Sequence, residues 1–112
     1  MTTITQIQLV APQQLPTSDT AIYTTPTQTT AKIGRAVFTN TSASAVTITA
    51  GITTGTALGA STTLISAQTI APGASYVSPE LAGQLFPAAS QIHAYANTAS
   101  AVTCAISGLI IQ

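Results

Sequence analysis

Charge is nearly missing from this chain. Lys32, Arg35, Asp19 and Glu80 make up 4% of 112 residues, where about 25% is usual for a globular domain. The net charge is zero. Nucleic-acid binding draws on clustered cations that displace counterions from phosphates, and two cations cannot form a basic face. Disorder driven by charge is excluded too, because 46% of the residues are hydrophobic and the net charge is nil. Tryptophan is absent and the three tyrosines are scattered, which weakens any sugar-binding surface built on aromatic platforms. Cys104 stands alone, so no intramolecular disulfide can staple the fold. No apolar run approaches the roughly 20 residues of a membrane helix. Met1–Gln6 lacks the basic start and long apolar run of a signal peptide. The expectation is no nucleic-acid or membrane partner, with synthesis and assembly in a cytoplasm.

Threonine and alanine, by contrast, are abundant, with 22 and 20 residues. Threonine is β-branched and favoured on pleated surfaces. A surface of Thr, Ser and Gln is hydrated but uncharged. It can pack on a neighbour without desolvating ions, which costs far more than desolvating hydroxyls that find partners. A free monomer, by contrast, normally relies on surface charge for solubility.

The length suits one domain. From Ala45 to Ile52, Val46, Ile48, Ala50 and Ile52 alternate with Thr47, Thr49 and Gly51, the period-2 pattern of a half-buried strand. Ile33 to Phe38 reads as another strand, and Asn40-Thr41-Ser42-Ala43-Ser44 between them reads as a hairpin connection. A second pair closes the chain. Ile92, Ala94 and Ala96 alternate with His93 and Tyr95, and Asn97–Ser100 turns into Ala101–Ile111. Between the pairs, Thr63 to Ile70 reads as a strand ended by Pro72-Gly73, a turn signal of type II character. Ser75 to Ser78 reads as a short strand.

Ser78-Pro79-Glu80 carries a helix-start pattern: a capping hydroxyl, proline at the first helical position and an acid in the first turn. Leu81 and Leu85, four apart, would share one inward face, and Pro87 ends the element. The spacing predicts one short helical turn near residues 79–86. Near the start, Ile4, Ile7, Leu9 and Val10 can form a strand, whereas Pro12 and Pro16 interrupt the stretch after Val10. Residues 1–20 form an extended N-terminal segment, either an edge strand or an arm reaching a neighbouring subunit. Ala21–Thr24 opens the β-sandwich domain, residues 21–112. Roughly six to eight short strands with turn signals about every 8–12 residues indicate an all-β fold. The expected architecture is a single antiparallel β-sandwich, jelly-roll or immunoglobulin-like. Its edges lack the charged residues that usually guard them, so the N-terminal segment or partner subunits must cover them.

Candidate chemistry is sparse. His93 is the only histidine, and a general base needs a partner within hydrogen-bond reach. The alternation puts it opposite Ile92 and Ala94, as an exposed or interfacial side chain. Asp19, Glu80 and Cys104 stand at no metal-ligand spacing to it. Cys104 alternates with Val102 and Ile106 and reads as a small core hydrophobe; a nucleophilic role would need His93 on the same face. Ser107-Gly108 and Thr54-Gly55 lack the Gly-x-Ser-x-Gly elbow. Gly51, Gly55 and Gly59 lack the Lys-Ser/Thr ending of a phosphate loop. Asp19 fits a turn and Glu80 the helix start. No catalytic, cofactor-binding or metal residue is nominated, no cofactor is expected, and an enzyme ranks last.

Ile22-Tyr23-Thr24-Thr25-Pro26, then Ala31–Ser42, then Ala45–Thr49 resemble small bacteriophage virion proteins. So do Ile70–Tyr76, Leu81–Phe86, Ile92–Ala96 and the closing Ala101-Val102-Thr103 with Ser107-Gly108. The resemblance covers about residues 20–112 and consists of strand and turn types. Where many of those proteins have an Ala-Gly-Asp-x-Ile turn, this chain has Pro87-Ala88-Ala89-Ser90-Gln91-Ile92. The resemblance implies a β-sandwich subunit of a phage particle, foremost a capsid decoration, cement or other minor capsid protein. It implies major capsid or other virion proteins as partners, and a symmetric homo-oligomer such as a trimer. Its location would be the virion, assembled in the host cytoplasm. A tail or neck adaptor or fibre component is the alternative within that group. A carbohydrate- or cell-surface-binding module is the alternative outside it.

Overall fold

The computed structural model describes residues 3–112; Met1 and Thr2 of the N-terminal segment lie outside them. Nine strands succeed one another along the described residues: β1 (Ile4–Gln14), β2 (Thr20–Thr24), β3 (Thr30–Asn40), β4 (Val46–Thr53), β5 (Thr63–Ile70), β6 (Ser75–Val77), β7 (Leu85–Phe86), β8 (Gln91–Ala96) and β9 (Val102–Ile111). They form two antiparallel sheets packed face to face. The first has the order β1-β9-β3-β6, with β7 also on β3; the second is β2-β8-β4-β5.

The period-2 alternation explains the core. Ile33, Ala36 and Phe38 of β3 and Val102, Cys104 and Ile106 of β9 point inward from the first sheet. Val46, Ile48 and Ala50 of β4 and Ile92, Ala94 and Ala96 of β8 meet them from the second. A register shift between Ile33 and Arg35 is a bulge that turns both Ile33 and Ala36 inward although they stand three apart. Pro72-Gly73 makes the expected turn: Gly73 has φ 72°, and Ala74 N–H donates to the Ala71 carbonyl at 3.0 Å.

Two sequence expectations fail. The segments flanking Asn40–Ser44 are not a hairpin, since β3 pairs with β9 and β6 while β4 pairs with β5 and β8. The same holds for β8 and β9. Each connection crosses from one sheet to the other, so both flanking strands present their apolar side to one shared core. Asn40 is fully buried at the first crossing. Its amide donates to the Ser44 and Ile70 carbonyls at 2.8 and 3.0 Å, and its Oδ1 accepts from Ser42 N–H and Oγ–H at 2.9 and 2.7 Å.

The helical turn near 79–86 is also absent. Ser78 Oγ accepts the Leu81 N–H at 3.1 Å, as a cap would, but the chain then bends away. Gly83 adopts φ 82° and donates to the Ile33 carbonyl, while Ile33 N–H donates to Gln84. Leu81 is buried and Leu85 is 59% exposed, so they share no face. A helix of one turn has a costly nucleus, and pairing with β3 supplies the hydrogen bonds instead.

Within the N-terminal segment, β1 runs antiparallel along β9 from Ile4↔Ile111 to Gln14↔Thr103. The chain then steps between sheets: Leu15 N–H donates to Val102 of the first, and the Pro16 carbonyl accepts from Ala96 of the second.

Candidate functional site

β8 turns His93 away from the core onto the outer face of the second sheet, as its alternation requires. That face is nevertheless not open: His93 is 2% exposed, which corrects the expectation of an exposed or interfacial side chain. The β4–β5 connection, residues 54–62, folds across it. Gly51 marks how close the cover lies, because a Cβ there would collide with the Thr62 carbonyl oxygen and press on Leu58. Only glycine permits that approach.

Beneath the cover, His93 Nδ1–H donates to Asp19 Oδ1 at 2.7 Å, and Nε2 lies 2.7 Å from Gln91 Oε1. Asp19 Oδ2 accepts the Leu58 N–H at 2.7 Å. Burial acts to raise the Asp19 pKa. The Leu58 hydrogen bond and the His93 hydrogen bond and charge outweigh it and hold the carboxyl below its ordinary value. Three segments distant in sequence are thereby tied together: the β1–β2 connection, β8 and the 54–62 cover. With both imidazole nitrogens engaged, the cluster acts as a latch.

The other titratable groups lie apart. Glu80 accepts from Tyr76 Oη–H at 2.5 Å and from Ser78 Oγ–H at 3.1 Å. The Tyr76 bond, foremost, lowers the Glu80 pKa. In return burial, the hydrogen bond and the carboxylate charge push Tyr76 up to about 12. Cys104 sits in the core, where burial pushes its thiol up to about 12; the second sheet separates it from His93, which lies on that sheet's outer face. No group of three or more His, Cys, Asp or Glu gathers among the described residues.

One groove opens at the end of the sandwich where β7 approaches the β4–β5 connection. It holds about 290 Å³, with Ile52, Phe86 and Pro87 as its apolar part and Thr53, Ser61 and Thr62 among its hydroxyls. The residue pattern gave no sign of it, since it joins segments from opposite sheets. The Asp19–His93 contact, 74 residues apart in sequence, had one faint signal. In so uncharged a chain, a buried imidazole has few partners to choose from, and Asp19 is one of only two carboxylates.

Comparison with family models, curated proteins and solved structures returns no significant match.

Proposed function

We propose that this chain is a structural subunit of a bacteriophage particle, a decoration or minor capsid protein that works through protein–protein contacts. The carrying observation is the edge strand β1. Eleven residues long and free of any charge, it forms one margin of the first sheet. Thr3 and Gln112 exchange both backbone hydrogen bonds, so antiparallel alternation turns the N–H and C=O of Gln6 to the open side. Over Ile4–Gln8 the register with β9 is continuous, ahead of the shifts and Pro12 that blunt the rest of the strand, and this stretch of edge is a template for another strand. The order β1-β9-β3-β6 over β2-β8-β4-β5 is a jelly-roll winding, an architecture used by viral capsid domains and by lectins. The resemblance of residues 20–112 to small phage virion proteins supports the same reading.

Purified full-length chain, examined by sedimentation, should self-associate or bind phage particles. Immunogold labelling should then mark regularly spaced sites on the shell; label confined to one vertex or to the tail would select the adaptor or fibre alternative. A stable monomer indifferent to particles would sink the proposal. The groove near Phe86, rimmed with hydroxyls, favours a second reading as a carbohydrate-binding module. Saturable glycan-array binding abolished by Thr62→Val would select it.

A further inference from the structure

The two sheets present very different outer faces. Residues 54–62 fold over the His93 and Gly51 part of the second, whereas Lys32, Gly34, Arg35 and Ser107 along the first are exposed. Cross-strand register places Lys32, Leu109 and Leu85 side by side on that face, with Ile4 opposite Ile111, and Val77 opposite Val37. Ile4, Val77 and Leu85 are 64%, 48% and 59% exposed. Among the described residues, three of the four exposed large hydrophobic side chains therefore share one sheet face; the fourth, Leu64, is on β5. Arg35, opposite Ser107, stands on the same face. Both cations of the chain thus lie among its exposed apolar side chains, and the ion pair found among the described residues, His93–Asp19, involves neither.

The geometry points to this face as a docking surface for a different protein, one that presents apolar side chains interspersed with carboxylates. A second copy is a poor occupant. Two-fold docking of the face on itself brings Lys32 and Arg35 toward like charges. A head-to-tail contact would have to recruit Asp19 or Glu80, and both are already engaged, by His93 and Leu58 and by Tyr76 and Ser78. Apolar side chains supply the contact area of a protein–protein interface, and charges set among them fix partner choice more than raw affinity. This inference rests on the reading of the chain as an assembly subunit and adds the chemistry of its partner.

The test is a titration of the full-length, isotope-labelled chain with two synthetic ten-residue peptides, one alternating leucine with glutamate and the other leucine with lysine. The glutamate peptide should bind saturably and shift amide resonances of β1, β3, β7 and β9. Binding should weaken with added salt and fall roughly tenfold for the double reversal Lys32→Glu with Arg35→Glu. Lys32→Gln with Arg35→Gln replaces that variant if the reversal disturbs the fold. Equal binding of both peptides, binding of neither, or shifts confined to β2, β4, β5 and β8 would overturn the inference. So would a dimer of the unliganded chain lost on Leu85→Ser, which would make a second copy the occupant. Particle labelling, which tests the virion reading, is a separate measurement, so either idea can fail alone.

Discussion

The side-chain amide of Asn40, at the end of β3 in one sheet, donates to the carbonyl of Ile70, at the end of β5 in the other, across 3.0 Å. This bond, with three more from the same buried side chain, clasps the sandwich at one end. Replacing Asn40 by Ala strands the Ile70 carbonyl and empties a packed site. Stranding one buried group costs about 1–3 kcal/mol, so a loss of about 3 kcal/mol is expected in urea unfolding, with an unchanged m-value. Ser42→Ala removes one of the four bonds and should cost about 1 kcal/mol.

The Asp19 latch predicts a pH dependence with a definite sign. A carboxyl whose folded pKa is depressed contributes stability above its unfolded value, and loses it as pH falls through the folded value. The cover over His93 should therefore loosen below the ordinary value of 3.8. Hydrogen exchange at the Leu58 amide, corrected for intrinsic rate, should be slow at about pH 6 and markedly faster at about pH 2.5. Asp19→Asn should abolish the difference.

Thr25 predicts a gain. It is 2% exposed, and its Oγ1 has no hydrogen-bond partner among the described residues. Valine keeps the shape and removes the unsatisfied hydroxyl, so Thr25→Val should stabilise by about 1 kcal/mol. Calorimetry should show a melting temperature raised by a few degrees; a fall would mean that the hydroxyl bonds an internal water.

The open edge can be tested separately from the open face. Proline is tolerated where an edge-strand N–H points outward, because no ladder bond is lost. Gln6→Pro should leave the monomer's melting temperature within a few degrees of the parent while abolishing self-association in sedimentation. Retained association would place the contact elsewhere.

Legibility in the sequence tracked locality. The alternation of Val46–Ile52 and Val102–Ile106 located strands and core, including Cys104, because side-chain direction in a strand is set by its own backbone. Pro72-Gly73 located its turn for the same reason. The predicted turn of helix after Ser78 had a true local cap, yet backbone pairing with Ile33, more than 40 residues away in sequence, overrode it.

Two absences, of charge and of a stapling disulfide, were properties of the sequence by itself, and with them a β-rich chain whose surfaces are suited to contact. Only the tertiary structure decided where the few charges act. Alternation put His93 on an outer face but could not reveal that residues 54–62 would cover it, since that depends on the loop after β4 folding back over Gly51, which β4–β8 register sets beside His93. Nor could it reveal that Lys32 and Arg35 would share a face with Leu85 and Ile4. Register between strands far apart in sequence is a collective result of packing, and it turned scattered residues into a surface.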